Sequence, residues 1–292
     1  MTGHGARGQL TGAVVAGFAA AGAARAAYAL LNRRAPGGGK LWARTNHRGE
    51  PVTLLEGPAV AAGAVVGALA THPAMAVAGV GAAAFGAYDD LRGSGDRRGF
   101  RGHISALLDG EVTTGAVKLG GIGATGLASS LMVGGSPVDV VLNAGLVAGG
   151  ANLLNLFDLR PGRAIKVTVG SACLIDALAG TEGAAATAVT AAPLGAALAL
   201  LPDDLGERAM LGDSGANALG AMLGAAAALT LPRPARLALL AGITGLTAAS
   251  EKVSFTKVIE RTPALRWLDM LGRRPAAPSP HVKIPVPAAP EE

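Results

Sequence analysis

The chain predicts an all-α, polytopic membrane protein of about nine transmembrane helices, with its N-terminus outside and its C-terminus in the cytoplasm. Three observations carry that prediction. Half of the 292 residues are hydrophobic and only 15% are charged, where a soluble domain carries about a quarter charged residues. Mean hydropathy is +0.42, although aromatics contribute only 3% and Ala and Gly dominate the apolar runs. The charges are gathered into short islands between those runs. The competing reading is an Ala-rich soluble helical protein, and the clustering of charge speaks against it.

Apolar segments run over 10–32, 52–71, 73–88, 112–133, 138–157, 164–179, 184–201, 214–231 and 235–256. Most have the roughly 17–25 residues with which a helix crosses a bilayer; 73–88 and 164–179 fall slightly short. Pro73, Pro137, Pro202 and Pro232 lie near segment edges, where a missing backbone donor is tolerated. The pairs Gly63–Gly67, Gly145–Gly149 and Gly220–Gly224 have the spacing that lets helices approach closely. In so Gly-rich a chain, chance produces that spacing too. The single cysteine, Cys173, excludes an intrachain disulfide and reads as a small buried hydrophobe.

Positive charge sets the orientation. Arg33, Arg34, Lys40, Arg44 and Arg48 lie in one loop, Arg92, Arg97, Arg98 and Arg101 in a second, and Arg160, Arg163 and Lys166 in a third. The alternate connections at 71–72, 134–136 and 180–182 hold no Lys or Arg. The basic loops are therefore assigned to the cytoplasm, with Arg233 and Arg236 as mild violators. In this setting the net charge of +5 is explained by topology and anionic lipid, and no nucleic-acid partner is expected. Residues 10–32 read as a retained span rather than a signal peptide, because they are long, lack a convincing cleavage site and precede five positive charges. Residues 1–272 are expected to form one membrane domain, and the Pro- and Ala-rich 273–292 a disordered cytoplasmic tail.

Under this topology the informative polar residues fall on the cytoplasmic side. Asp89 and Asp90 end the third segment. Asn152, Asn155 and Asp158 close the fifth in ANLLNLFDLRPGR, and Asp203, Asp204 and Asp213 lie in PDDLGERAMLGDSGAN before the eighth. Lys118 is about two turns into the fourth. Residues spaced by three share a helix face, so these groups are expected to converge on one cleft. Each has a plain alternative: Asp-Asp as a wet helix end, Asp213 as a helix starter, the asparagines as interhelical glue, Lys118 as a snorkelling side chain. Together they suit phosphoryl transfer, in which Mg²⁺ is held by one or two carboxylates plus phosphate oxygens. Amide side chains would orient the acids or bond a sugar. The Gly212-Asp213-Ser214-Gly215 turn offers an edge of free N–H groups for an anion. The four acids Asp89, Asp90, Asp158 and Asp213 are expected to gather within about 10 Å.

The motifs FGAYDDLRG, NLLNLFD and LGDSGANALG, with RTNHRGEPVTLLEG before them, resemble the polyprenyl-phosphate N-acetylhexosamine-1-phosphate transferases. This membrane family, of the glycosyltransferase family 4 type, includes the phospho-N-acetylmuramoyl-pentapeptide transferase of peptidoglycan synthesis. The order and spacing agree over roughly residues 40–231. The resemblance implies transfer of a sugar-1-phosphate from a UDP-amino sugar to a polyprenyl phosphate with release of UMP, at the cytoplasmic face of the plasma membrane. Carried over by position, it implies Asp89, Asp90 and Asp213 as catalytic residues, with Asp213 and Asp90 on Mg²⁺. Lys118 would bind phosphate, and Asn46, Asn152, Asn155 and Asp158 the nucleotide sugar. A homodimer is one option for the assembly.

The chain departs from the family in three places. Pro161 stands where a second acid follows Asp158, and residues 251–275 contain no histidine; His281 lies in the tail. No final span is expected after that loop. Pro161 and the missing histidines motivate one alternative, a catalytically degenerate relative that binds prenyl phosphate or scaffolds envelope synthesis; a second is a transporter, since acids at broken helices also bind coupling ions. The acids lie at the segment ends rather than mid-membrane, which disfavours the transporter.

Overall fold

The computed structural model describes residues 3–93, 106 and 110–275. Arg97, Arg98 and Arg101, His281 and the tail beyond 275 lie outside the described residues. Among the described residues nine long helices match the nine predicted segments: α1 (Gly3–Arg33), α3 (Glu56–Leu69), α4 (Pro73–Arg92), α5 (Thr114–Val133), α6 (Pro137–Phe157), α7 (Arg163–Leu178), α8 (Gly183–Leu205), α9 (Gly212–Thr230) and α10 (Arg233–Ser250). Three short helices, α2 (Gly39–Trp42), α11 (Phe255–Arg261) and α12 (Pro263–Met270), flank them.

Four helices, α1, α5, α6 and α8, are long and apolar enough to cross a membrane. Only 17% to 39% of their most apolar windows is buried inside the protein. Val14, Val15, Phe18, Leu131 and Val141 all point outward, an arrangement that suits lipid and not water. The other five long helices miss that standard. Helix α3 has 14 residues, about 21 Å of rise against a hydrocarbon layer of about 30 Å. Helix α4 ends on Asp89, Asp90 and Arg92, and α10 opens with Arg233 and Arg236.

Helix α9 is the hub. It packs most extensively on α6 and α4 and also meets α3, α5, α7 and α8, and nearly all its residues after the first turn are buried. Small residues make this possible. A methyl group added to Gly150 of α6 would fall 2.5 Å from the Gly220 carbonyl oxygen of α9, and one added to Gly220 would fall 2.8 Å from the Ala151 Cα. Methyls on Gly63 and Gly67 would strike the α1 carbonyls of Ala20 and Ala16, at 2.5 and 2.7 Å. The Gly220–Gly224 and Gly63–Gly67 spacings thus mark backbone contacts, while Gly145 and Gly149 face the side chains of Leu240 and Ile243 on α10.

Successive long helices alternate in direction. Arg25 of α1 reaches Asp203 at the end of α8 (2.6 Å), on the side where α4 ends and α5 and α9 begin. At the opposite end, Ser129 near the close of α5 donates to the Ala74 carbonyl at the start of α4 (2.9 Å). There the first turns of α6 and α10 are joined by Asp139, which pairs with both Arg233 and Arg236. The two arginines that strain the charge rule therefore share one acid, which offsets half of their charge.

The sequence reading needs three corrections. Segment 52–71 does not begin as helix. Residues Pro51–Thr53 form strand β2, paired antiparallel with β1 (Ala43–Thr45) in the register Ala43↔Thr53, Arg44↔Val52 and Thr45↔Pro51. β-Branched Val52 and Thr53 favour the strand, and Asn46 and Gly49 (φ 81°) close its turn. Cys173 is exposed, because it lies on the outward face of α7. Pro202 is inside α8, which continues to Leu205, so Asp203 and Asp204 belong to its last turn rather than to a loop.

Gly220→Leu should lower the melting temperature in detergent substantially, since overpacking costs about 1–3 kcal/mol or more. Gly242→Leu, on α10 with nothing within 4 Å of an added Cβ, should leave it nearly unchanged. Differential scanning fluorimetry of the two variants checks this.

Candidate functional site

The site is built around the first turn of α9. A helix start leaves backbone N–H groups without intrahelical partners, and here side chains from other helices take them. The Asp90 carboxylate, at the end of α4, accepts the N–H groups of Asp213 (3.0 Å) and Ser214 (2.9 Å). Asp158, which caps the C-terminus of α6, accepts from the N–H of Gly212. The turn tolerates this crowding because residue 212 is glycine: its φ is 59°, and an added Cβ would sit 3.0 Å from an Asp90 oxygen. The main chain of Asp90 is held in turn by the Arg44 guanidinium of β1.

Lys118 lies between the remaining acids. Its ammonium, one turn into α5, is 2.5 Å from Asp213 Oδ2 and 2.7 Å from Asp89 Oδ2. Asp89, Asp90, Asp158 and Asp213 therefore meet around one helix end, with Lys118 as the cation paired to Asp89 and Asp213. The edge of N–H groups predicted to receive an anion is already filled by Asp90 and Asp158, which is a correction to the sequence reading. Among the described residues no group of three or more His, Cys, Asp or Glu has the arrangement to hold a metal by itself.

A neighbouring cavity of about 200 Å³ is lined by Asn46, Asp158, Arg160, Pro161, Asp204 and Glu207, among others. Strand pairing places the hairpin wall, since Thr53 bridges to Ala209 and its carbonyl accepts from Met210 (3.0 Å). Asn46 donates to Glu207 (2.8 Å) and its amide oxygen accepts the main-chain N–H groups of Arg48 and Glu50, both at 2.9 Å. Asp204 accepts the Gly162 N–H at 3.1 Å. A buried carboxylate thus faces the same cavity as Pro161, arriving from α8 rather than from the α6–α7 turn. Burial pushes the Asp158 carboxyl well above its ordinary range, and the charges of Asp204, Asp213 and Asp90 push it further.

Two predicted residues are not gathered here. Asn152 donates to Thr247 Oγ1 of α10 at 3.3 Å, which is the interhelical contact that stood as its alternative role. Asn155 is half-buried, three residues on from Asn152, and is not among the residues that line this cavity. Sequence reasoning missed Glu207, which is 4% exposed, has φ 55° and pairs with Arg48 at 2.8 Å. Its place in the charged approach to α9, PDDLGERAMLGD, was the available signal. Reasoning also missed Glu56 of α3, fully buried, whose carboxyl oxygens have no hydrogen-bond partner among the described residues. No protein-family model and no curated protein matches this chain.

The raised Asp158 pKa has a stability consequence with a definite sign. The folded chain holds this proton more tightly than the unfolded chain does. The stabilisation is complete below the ordinary Asp pKa of about 3.9 and is lost as pH rises through the raised value. Asp158→Asn keeps an acceptor for Gly212 and removes the titration. Its melting temperature relative to the parent should therefore climb from acid toward alkaline pH; a difference that is flat across that range would contradict the assignment.

Proposed function

We propose that the chain is a Mg²⁺-dependent transferase that moves a sugar-1-phosphate from a UDP-amino sugar to a polyprenyl phosphate, releasing UMP, in cell-envelope glycan synthesis. In this reading all nine long helices belong to the membrane domain, and the acidic end faces the cytoplasm at the plasma membrane. The observation that carries it is the meeting of Asp89, Asp90, Asp158, Asp213 and Lys118 at the start of α9. Five residues from α4, α5, α6 and α9 converge there, beside a cavity large enough for part of a nucleotide sugar.

The donor set suits Mg²⁺, a hard cation that is commonly held by one or two carboxylates together with substrate phosphates. Asp213 and Asp90 would hold it: each Asp90 oxygen takes one N–H from α9 and keeps a lone pair. When bound, the ion neutralises charge on the diphosphate. The remaining work falls to the chain. Lys118 meets a phosphate oxygen as a point charge, and Asp90 fixes the α9 turn. Asn46 and Asp158 line the donor cavity, and Asp204 supplies a carboxylate beside Pro161. A lipid-phosphate oxygen forms the new bond to the phosphorus bearing the sugar, and the bond to the UMP oxygen breaks. The lipid phosphate is already largely ionised near neutral pH, so positioning and charge neutralisation dominate over base catalysis.

One observation favours the second reading, a non-catalytic relative that binds prenyl phosphate. The acids already have partners within the protein, with Lys118 on Asp89 and Asp213 and the α9 amides on Asp90 and Asp158. Such an arrangement is stable without a ligand. The two readings separate in one assay, with purified protein, Mg²⁺, decaprenyl or undecaprenyl phosphate and a panel of UDP-sugars, read as UMP. Asp213→Asn should cut turnover by on the order of 10²-fold or more with an unchanged melting temperature. Equal turnover by variant and parent would sink the metal role of Asp213. No UMP from any donor, with prenyl phosphate still bound, would select the second reading.

A further inference from the structure

Helix α12 is turned inside out for a water-facing helix. Its single buried residue is the acid Asp269, while Leu265, Trp267, Leu268 and Met270 are exposed, Trp267 at 68%. An amphipathic helix on a soluble surface does the reverse. The orientation is enforced by charge. Arg163 of α7, 4% exposed, grips the Asp269 carboxylate through Nε (2.7 Å) and Nη2 (3.1 Å), and Arg273 adds a third bond at 2.7 Å. Lys166 donates to the Asp269 carbonyl at 2.7 Å. Burial opposes ionisation of Asp269, yet Arg163 and Arg273 hold its carboxyl below the usual range. The helix therefore has no freedom to roll its apolar face inward.

Two contacts fix its level. It is bonded to the first turn of α7, and Phe157, the last residue of α6, stacks on Phe255 of α11 with ring centres 5.2 Å apart. Since α6 is long and apolar enough to cross a membrane, its end lies where hydrocarbon gives way to headgroups. An apolar groove of about 410 Å³ joins the two surfaces, with Val167 and Leu174 on one wall and Leu265 and Leu268 on the other. The outward face of α12 thus continues that of α7. Residues 251–275 also carry six basic residues against three acidic ones, and one of those acids, Asp269, is neutralised internally. Arg261 and Arg266 are exposed beside the tryptophan.

We propose that α12 lies in the plane of the membrane, with Leu265, Trp267 and Leu268 seated in the headgroup layer of an anionic leaflet and Arg261 and Arg266 on its phosphates. Apolar contact and positive charge are the two components that hold such helices at an interface, and tryptophan is enriched at that depth. The partner is anionic phospholipid, and the binding is independent of any turnover at the acidic site.

The experiment uses the full chain in nanodiscs of phosphatidylcholine and phosphatidylglycerol. There are two tryptophans, so the Trp267 emission is isolated by subtracting the spectrum of Trp267→Phe. An apolar face inserted about 5–10 Å into the boundary should be quenched roughly twofold or more by lipids brominated near the headgroup, less by lipids brominated deep in the chain, and hardly by iodide. Removing phosphatidylglycerol, or changing Arg261 and Arg266 to Gln together, should weaken the bromolipid quenching. Emission open to iodide and untouched by bromolipid overturns the proposal. Emission shielded from both overturns it in favour of a protein contact, and equal quenching in phosphatidylcholine alone overturns the anionic part.

Discussion

The acceptance of two α9 amides by the Asp90 carboxylate is the interaction on which the rest of the acidic end depends. It joins the C-terminus of one helix to the N-terminus of another across 123 residues of sequence. It satisfies donors that would otherwise be orphaned in a crowded interior, and it puts negative charge at the positive end of the α9 dipole. Once α4 is fixed there, Asp89 is presented toward α5 and Lys118 has its two partners. Gly86, one turn before Asp89, permits the approach: a methyl at that position would fall 2.6 Å from the Asp213 carbonyl carbon. A capping interaction is ordinarily worth about 0.5–2 kcal/mol. Here its larger consequence is geometric, because it determines which acids stand side by side.

The bundle that supports this end is held by closeness more than by large side chains. Ala and Gly bury little area each, so the stabilisation must come from backbone-to-backbone packing over long stretches, as in helices associated within lipid. Helix α9 meets α6 through Gly150 and Gly220, and α1 meets α8 through Gly17 and Gly195. Such interfaces leave little slack. Rigid placement of the acidic end follows, since the helices that carry it cannot slide without collision.

The nine long helices were legible in the sequence, because long apolar runs punctuated by charge have few other interpretations. The strand pair at Ala43–Thr45 and Pro51–Thr53 was not, since three-residue strands are too short for alternation to register. The convergence of Asp89, Asp90, Lys118, Asp158 and Asp213 was legible as well, from their shared position at segment ends. What could not be read was the pairing: nothing in the order of residues says that Lys118 stands between Asp89 and Asp213, or that Asp90 is spent on backbone. Asn152 illustrates the same limit, since its spacing placed it on the right helix but not on which side, and Thr247 decided that. Glu207 escaped notice, and Arg163 registered only as loop charge, because their partners, Arg48 and Asp269, are 159 and 106 residues away.

The position of Lys118 between two carboxylates makes the lysine a resident counter-ion. A cation that takes Asp213 leaves that ammonium short of a partner in a poorly solvated place, and an anion that takes Lys118 leaves the carboxylates short of theirs. Each arrival thus creates the vacancy that the other fills. By linkage, the factor by which a cation tightens an anion is the factor by which the anion tightens the cation. Under the proposed reading, such an end of a bundle would bind either ion alone weakly and would respond to the pair, as a coincidence detector for a cation and an anion arriving together.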